Sequence, residues 1–179
     1  MRALVTGAGK RLGRAMALYL AGRGYDVAVH YAASRAGADS VVAEIRAMGR
    51  NAVALRADLL SDAETEALVP RATEALGGAL SVLVNNASIF EYDTVHSATR
   101  QSWDRHFGSN LRAPFLLTQS FASQAPQATT DSNGEPMSQA LIVNMIDQRV
   151  QKLTPEFMTY TLAKMGLWAL TQTAAPEAL

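Results

Sequence analysis

The chain has 179 residues, of which 49% are hydrophobic, 18% charged and 7% aromatic, and its 16 Lys and Arg balance 16 Asp and Glu. This length fits one domain with one core, and the high apolar fraction excludes an intrinsically disordered chain. The zero net charge argues against a nucleic-acid binder that works through a basic surface. Because cysteine is absent, disulfides, thiolate metal ligands and a cysteine nucleophile are excluded.

No apolar run approaches the roughly 20 residues needed to span a bilayer, and the start of the chain lacks a signal-peptide profile. We therefore expect a cytoplasmic protein with neither membrane nor nucleic-acid partners. His30, His96 and His106 show no ligand spacing with acidic residues, so no metal site is expected.

Short β-branched runs alternate with stretches of helical length. Strands are predicted at 3–5, 26–31, 52–56, 80–84 and 141–143. Helices are predicted at 12–23, 36–48, 61–76 and 111–123, from residue 101 and from about residue 156, with a polar loop at 126–139. The alternation predicts a single α/β domain over residues 1–179. Its fold is a doubly wound parallel sheet of Rossmann type, with helices on both faces and a ligand cleft beyond the carboxyl ends of the strands.

Local patterns refine two of these helices. Helical periodicity gives the first one an apolar face formed by Leu12, Ala15, Met16, Tyr19 and Leu20. In the helix at 61–76, Ser61 followed three residues later by Glu64 predicts a capping box.

A glycine-rich turn from Thr6 to Gly13 follows the first strand and opens the first helix. The N–H groups of such a turn, together with the positive end of the helix, can bind a pyrophosphate. Gly7 permits the tight turn, and Gly13 permits close packing of helix on strand. Many glycine-rich turns are only structural, but here the flanking strand and helix favour a dinucleotide.

The region after the second strand favours NADPH over NADH. It lacks the acidic residue that would bind a ribose 2′-hydroxyl and repel a 2′-phosphate. The strand ends at His30 and Tyr31, and the residues expected around the 2′-phosphate are Lys10, Arg11 and Arg35 as cations and Ser34 as a donor. Alternatively, the three cations are solvated surface charges. Asp58, after the third strand, either accepts a hydrogen bond from an adenine amine or caps a turn.

Four motifs in register resemble those of the short-chain dehydrogenase/reductase superfamily over the whole chain. They are Thr6-Gly7 through Gly13, Asn85-Asn86-Ala87, Asn110, and Tyr160-Thr161-Leu162-Ala163-Lys164. Within this superfamily the chain is most similar to pteridine reductases. Arg11 replaces the usual middle glycine, Phe90 stands where that family stacks the pterin ring, and Asp147 stands where most members carry a catalytic serine.

The resemblance implies NADPH as cofactor, a small pterin or folate-like substrate, and a homodimer or homotetramer. It implies catalytic roles for Asn110, Asp147, Tyr160 and Lys164. It implies cofactor contacts from Gly7, Lys10, Arg11, Leu12, Gly13, His30, Tyr31, Ser34, Arg35, Asp58, Leu59, Asn86, Ala87, Ser88, Tyr160 and Lys164. It implies substrate contacts from Arg11, Ser88, Phe90, Asp147 and Tyr160.

The chemistry of Tyr160 depends on its neighbours. Lys164 lies four residues on, hence on the same helix face, and a lysine cation beside a phenol lowers the phenol pKa. A Tyr and a Lys on an ordinary amphipathic helix would look the same. Asp147 cannot donate to a carbonyl as serine does, and its charge opposes a phenolate. It suits a substrate with N–H donors and a C=N bond, with Asp147 and Tyr160 titrating as one pair that protonates the ring nitrogen. The alternative for Asp147 is a loop residue that caps a turn.

Two further positions have alternative interpretations. Phe90 forms one wall of a slot for a planar ring, or it is a core residue under a loop. Asn110 begins a helix; in the family it holds a backbone kink and a proton relay, but an N-capping asparagine would look identical.

The sequence thus predicts an NADPH-dependent reductase of pterin or dihydrofolate-type substrates. The alternatives are a short-chain reductase of another carbonyl or imine, and a catalytically idle NADP-binding paralogue. Members of the family usually run to about 250 residues, so the resemblance also implies that a C-terminal segment, with the lid over the substrate, is missing from these 179 residues.

Overall fold

The computed structural model of the chain describes residues 1–175 and confirms the alternation of strands and helices. The strands are β1 (Arg2–Val5), β2 (Asp26–Tyr31), β3 (Ala52–Arg56), β4 (Val82–Asn85), β5 (Thr129–Thr130), β6 (Pro136–Met137) and β7 (Leu141–Asn144). The α-helices are α1 (Arg11–Gly22), α2 (Arg35–Ala47), α3 (Asp62–Glu66), α4 (Leu68–Leu76), α5 (Arg100–Phe107), α6 (Ala113–Ala122) and α7 (Met158–Ala174). A π-helix at Gly108–Arg112 and a 3₁₀-helix at Gln148–Val150 complete the set.

Five parallel strands form the central sheet in the order β3-β2-β1-β4-β7. The register pairs Leu4 of β1 with Ala28 of β2 on one side and with Leu83 of β4 on the other. The chain therefore moves outward from β1 to β3 and then returns to the opposite side of β1. Such a reversal opens a crevice at the carboxyl ends of β1 and β4, where open α/β sheets bind ligands. The predicted doubly wound fold is confirmed.

The hydrophobic core has two layers because successive strand residues face opposite sides of the sheet. Val5 packs in the layer covered by α1 and α2. Leu4 packs with Leu117 and Phe121 in the layer covered by α4 and α6. Each fully buried Leu or Phe of this kind contributes roughly 1.5–3 kcal/mol of hydrophobic free energy, so burial on both faces fixes the sheet firmly.

The predicted apolar face of the first helix is only partly correct, because Met16 and Leu20 pack against the core but two other members of the face do not. Leu12 is 63% exposed and Tyr19 is 61% exposed. The buried residues of α1 are instead Gly13, Ala17 and Ala21. Small side chains allow the helix axis to approach the sheet closely, and this requirement overrides the periodicity of the larger apolar residues.

Other boundaries also differ from the prediction. The helix expected at 61–76 is two helices, α3 and α4, that meet at Ala67. Ser61 accepts from the Glu64 N–H as expected, but the Glu64 carboxylate accepts from the Asp58 N–H instead of closing a capping box. The loop at 126–139 contains the β5–β6 hairpin, and α7 begins at Met158 rather than at residue 156.

Within residues 1–175 no helix is both long and apolar enough to cross a membrane. The same residues contain no group of three or more His, Asp or Glu side chains placed to hold a metal ion.

Candidate active site

A cleft of about 930 Å³ opens at the carboxyl ends of the sheet strands, where the fold places it. The predicted site residues that line it are Gly7, Lys10, Arg11, Leu12, Gly13, His30, Tyr31, Ser34, Asp58, Leu59, Asn86, Ala87, Ser88, Phe90, Asp147, Tyr160 and Lys164. Two predicted site residues, Arg35 and Asn110, do not line it. One cleft thus joins the glycine-rich turn to the Tyr160 helix, although more than 140 residues separate them.

The glycine-rich turn has a shape that only glycine allows. Gly7 has φ of +61°, and a Cβ on Gly13 would lie 2.3 Å from the carbonyl oxygen of Gly7. Helix α1 begins at the cleft with no side-chain cap at Lys10 and no acidic residue in its first turn. Its N-terminal N–H groups are therefore available to an anion such as a pyrophosphate.

His30 stabilises this turn through a hydrogen bond to Gly7. Its Nδ1 accepts from the Gly7 N–H at 3.0 Å, so its Nε2 carries the proton and donates to the carbonyl of Ala57 at 3.1 Å. Burial lowers the pKa of His30 from 6.5 to about 4. The imidazole is therefore neutral at physiological pH, and it ties the ends of three strands together.

The cationic side chains that line the cleft are not all those that were predicted. Lys10 and Arg11 line it, and Arg11 has a left-handed backbone with φ of 52°. The Arg35 side chain is 74% exposed and lies 3.2 Å from the Asp39 carboxylate. Arg35 therefore does not face the cleft as predicted. Arg56, which the sequence interpretation missed, lines it instead and pairs with Glu64 at 3.3 Å.

Asp58 caps a turn, one of the two predicted alternatives. Its Oδ1 accepts from the Leu60 N–H at 3.0 Å, while the residue still lines the cleft. A contact of Asp58 with an adenine amine stays a prediction.

Asp147 and Tyr160 form a hydrogen-bonded pair at the base of the cleft. The Tyr160 hydroxyl donates to Asp147 Oδ2 at 3.0 Å. Asp147 Oδ1 accepts from the Arg149 N–H at 2.9 Å, so the carboxylate also caps the short 3₁₀-helix. Burial, and next the bond to Asp147, raise the pKa of Tyr160 above its ordinary value of 10. The phenol therefore stays protonated at neutral pH.

Lys164 lies beside Tyr160 in the cleft. Its Nζ donates to the carbonyl of Met145 at 2.7 Å and lies 5.8 Å from the centroid of the Tyr160 ring. Burial lowers the pKa of Lys164 from 10.5 to about 8, while the charge of Asp147 opposes this shift. Burial and Asp147 raise the pKa of Tyr160, so the net shift is opposite in direction to the one that Lys164 alone was expected to produce.

Asn110 lies inside a continuous helical segment, so the expectation that it begins a helix is wrong. It is buried in the π-helix that joins α5 to α6. Its Oδ1 accepts from the Ile89 N–H at 2.9 Å and its Nδ2 donates to the Ile89 carbonyl at 2.8 Å. Asn110 therefore holds the segment that carries Phe90, from behind the cleft.

Phe90 is 53% exposed, which excludes the alternative of a core residue. Its ring stacks on Phe157, with centroids 4.2 Å apart and planes within 5° of parallel. It also meets the Tyr160 ring edge-on at 4.7 Å. Phe157 has φ of 56°, and no pattern in the sequence indicates its place beside Phe90.

Some cleft residues were missed although the fold indicates them. Gly9 belongs to the same glycine-rich turn, Arg56 ends β3, and Met145 and Ile146 directly follow β7. The rule that ligands bind at the carboxyl ends of parallel strands would have found the last three.

A family model described as short chain dehydrogenase matches residues 1–179. The chain belongs to the short-chain dehydrogenase family. The predicted membership of this superfamily is thereby confirmed.

Curated relatives include the 3-oxoacyl-acyl-carrier-protein reductase FabG of Staphylococcus aureus strain Mu50, which is 34% identical over 175 residues. That alignment covers 98% of this chain and 67% of the relative. A short-chain dehydrogenase/reductase of Armillaria gallica is 36% identical over 176 residues, covering 98% of this chain and 64% of the relative. The chain thus spans about two thirds of the length of these relatives.

Similar solved structures include FolM alternative dihydrofolate reductase 1 from Brucella suis in complex with NADP. It is 37% identical, has a TM-score of 0.87, and is matched over 98% of this chain and 68% of that one. The promiscuous reductase LugOII, which catalyses keto-reduction at C1 during lugdunomycin biosynthesis, is 31% identical with a TM-score of 0.84. It is matched over 99% of this chain and 72% of that one.

Proposed function

We propose that this family member is an NADPH-dependent reductase of pterin or dihydrofolate-type substrates, similar to pteridine reductases. The observation that carries the proposal is the 3.0 Å hydrogen bond between Tyr160 and Asp147, which lines the same cleft as the glycine-rich turn. A carboxylate in this place accepts hydrogen bonds, so it matches a substrate edge that presents N–H groups.

The residues of the cleft fit a bound NADPH. The uncapped start of α1 and the close approach of Gly7 and Gly13 leave room and N–H donors for a pyrophosphate. Lys10, Arg11 and Ser34 supply charge and a hydroxyl for a 2′-phosphate. The NADP complex of the Brucella suis FolM structure supports the same assignment. The chemistry that the bound cofactor supplies is the hydride, which adds to a carbon of a C=N bond.

Proton transfer falls to the Asp147–Tyr160 pair. Because the pKa of Tyr160 is raised, the phenol keeps its proton and the pair holds one proton between two oxygens. We infer that this proton passes to the substrate nitrogen as the neighbouring carbon gains the hydride, and that solvent then reprotonates the pair. The Lys164 cation interacts favourably with the charge of Asp147. It therefore favours the state in which Tyr160 is protonated and Asp147 is an ionised carboxylate.

Phe90 supplies the wall against which a planar ring would stack. Its half-exposed ring lies beside Tyr160, so a pterin placed on it would have its edge near the proton-holding pair. Arg11 and Ser88 line the same space and complete the proposed substrate contacts.

A second candidate is reduction of a ketone. The similarity to FabG and to LugOII, which are named as a 3-oxoacyl reductase and a keto-reductase, favours it. In this case a protonated Tyr160 would donate to a carbonyl oxygen, and Asp147 would serve only to orient the phenol.

An assay of NADPH oxidation by the purified protein separates these candidates. The substrates to compare are dihydrobiopterin, dihydrofolate and simple ketones. We expect turnover of the first two and little with ketones. Turnover of ketones alone would establish the second candidate. Cofactor binding without turnover of any substrate would favour a catalytically idle paralogue.

We further propose that the chain forms a single NADP-binding domain and works in the cytoplasm as a homodimer or homotetramer. The single five-stranded sheet and its two continuous core layers support the first point. Exposed aromatic side chains on α5 and α6, among them Trp103 and Phe115, support assembly.

A further inference from the structure

Three buried polar side chains, Asp93, His106 and Thr159, connect the segment that carries Phe90 to the helix that carries Tyr160. None of the three lines the cleft, and the proton-transfer chemistry uses none of them. Buried polar groups are costly unless they are hydrogen-bonded, so a cluster of three in this place requires an explanation.

Asp93 caps α7 from a distant part of the chain. Phe157, at the N-cap position of this helix, makes no side-chain cap. Asp93 Oδ1 accepts from the Thr159 N–H at 3.1 Å, and the Asp93 carbonyl accepts from the Met158 N–H at 3.4 Å. A carboxylate at this end also interacts favourably with the helix dipole. Because Tyr160 is the next residue, Asp93 fixes the turn that presents the phenol.

The hydrogen bonds of the cluster run in one direction. The Glu91 N–H donates to His106 Nε2 at 3.1 Å, so the neutral ring carries its proton on Nδ1. Nδ1 then donates to Thr159 Oγ1 at 2.6 Å, and the Thr159 hydroxyl donates to Asp93 Oδ2. The series begins at the backbone beside Phe90 and ends on the carboxylate that caps the Tyr160 helix.

We propose that Asp93, His106 and Thr159 are positioning residues, which hold Phe90 and Tyr160 at a fixed separation beside the substrate slot. Glu91, at one end of the series, is the neighbour of Phe90, and Thr159, at the other, is the neighbour of Tyr160. The rings of Phe90 and Tyr160 meet edge-on with centroids 4.7 Å apart. The expected effect of these residues on turnover rests on the proposed function. The hydrogen-bond series itself follows from the geometry of the structure alone.

Thr159→Val tests the proposal with a nearly isosteric change. The variant loses the acceptor for His106 and the donor to Asp93. We expect kcat to fall by about tenfold or more while the Kd for NADPH changes by less than about twofold, because orientation and not cofactor binding is impaired. Thr159→Ser keeps the hydroxyl and should restore kcat.

Thr161→Val is the matched control. Thr161 is buried on the same helix two residues later, and among the described residues its hydroxyl has no hydrogen-bond partner. We expect kcat within about twofold of the parent protein, because this hydroxyl holds nothing in place. Equal losses in Thr159→Val and Thr161→Val would overturn the proposal, since both would then report only general disturbance of α7.

Asp93→Asn provides a readout that needs no turnover. An amide Nδ2 facing Thr159 removes the acceptor of the Thr159 hydroxyl, so we expect that hydroxyl to turn and donate to His106 Nδ1. His106 Nε2 would then carry the proton and face the Glu91 N–H. We expect ¹⁵N NMR of the histidine rings to show the Nδ1–H form of His106 in the parent protein. In Asp93→Asn the Nε2–H form should appear, with amide exchange at Glu91 faster by about tenfold or more.

The two kinds of measurement separate the two proposals. The expected tautomers and exchange rates, in a protein that turns over no pterin or folate, would leave the positioning cluster intact and contradict the proposed function. An Nε2–H form of His106 in the parent protein would overturn the cluster whatever the enzyme reduces.

Discussion

At the scale of single residues, the pair formed by Asp147 and Tyr160 decides what the cleft can do. The acid–base residue most often used near neutrality has a pKa close to the working pH. Here burial and a neighbouring carboxylate move the pKa of Tyr160 in the other direction. Tyr160 therefore keeps its proton in the resting site, although the same shift makes the phenol a weaker acid. In the proposed reduction it can give up this proton only to a substrate nitrogen that becomes strongly basic as the neighbouring carbon gains the hydride.

Removal of the Tyr160 hydroxyl should stop turnover and leave the affinity for NADPH nearly unchanged. Tyr160→Phe keeps the ring that contacts Phe90 but loses the hydroxyl bonded to Asp147. We expect kcat to fall by roughly 10²–10⁴-fold, the usual contribution of a positioned general acid. Equilibrium titration should show a Kd for NADPH within about twofold of the parent protein, because Phe keeps the packing surface. Tyr19→Phe, on the exposed face of α1, is the control; a large loss of NADPH affinity in Tyr160→Phe would identify a binding residue instead.

The sequence could supply the identity of these residues but not their interactions. The spacing of Tyr160 and Lys164 placed both on one helix face, which is correct. It did not show that the Lys164 ammonium donates to the Met145 carbonyl, because that carbonyl belongs to a segment 19 residues earlier. Nor could it show that Phe157 would stack on Phe90. Contacts across a fold depend on packing that no local pattern encodes.

At the scale of elements, the junction between β1 and α1 sets the cofactor end of the cleft. Gly13→Ala tests it, because the new Cβ would lie 2.3 Å from the Gly7 carbonyl oxygen. The clash must displace the turn, so we expect the Kd for NADPH to rise about tenfold or more. We also expect the free energy of unfolding, measured in urea, to fall by about 1–3 kcal/mol.

Gly22→Ala, on the same helix, is the matched change without the clash. Nothing lies within 4 Å of the position a Cβ would take there. This variant should leave NADPH affinity unchanged and gain as much as about 1 kcal/mol of stability, because alanine is the better helix former. A Gly13→Ala protein that binds NADPH normally would remove the turn from the proposed site.

His30 should make the stability of this junction depend on pH. Its pKa is about 4 in the folded protein and near 6.5 when exposed, so the unfolded chain binds the extra proton first. The full stability is therefore present above pH 6.5 and is lost as the pH falls towards 4. The loss attributable to His30 is about 3 kcal/mol at most.

Urea titrations of the parent protein and of His30→Gln between pH 7.5 and 4.5 measure this effect. Glutamine does not titrate and can accept from Gly7 while donating to Ala57, so its stability profile should be flatter. His96→Gln, which changes an exposed histidine, should keep the slope of the parent protein. Parallel profiles for His30→Gln and the parent protein would contradict the assignment.

The elements themselves show where sequence patterns succeed. The five strands of the main sheet fall close to the predicted ranges, because buried parallel strands form short β-branched runs. The core face of α1 was predicted only in part, because close packing buries Gly13, Ala17 and Ala21 more fully than the large apolar residues. The π-helix was missed; its residue Asn110 bonds to Ile89, 21 residues earlier, and no local pattern encodes such a tertiary contact.

At the scale of the whole molecule, exposed aromatic side chains on α5 and α6 mark the expected place of assembly. Trp103 is 44% exposed and stacks on Phe107 with centroids 4.1 Å apart, and Phe115 is 43% exposed. Trp103→Glu together with Phe115→Glu should therefore shift sedimentation velocity from a dimer or tetramer towards a monomer. Met48→Glu places the same charge on another exposed apolar residue and should leave assembly unchanged. An unchanged sedimentation coefficient in the double variant would place the interface elsewhere.

The β5–β6 hairpin is exposed and lies outside the cleft lining, so it is a suitable place to attach a tag or label. Its strands are exposed, its turn around Gly134 is held by the Asp131 carboxylate, and none of its residues lines the cleft. Exposed turns of small polar residues tolerate inserted sequence. An affinity tag or a fluorescent label placed between Asn133 and Gly134 would thus offer a handle for immobilising the protein with its cleft open to solvent.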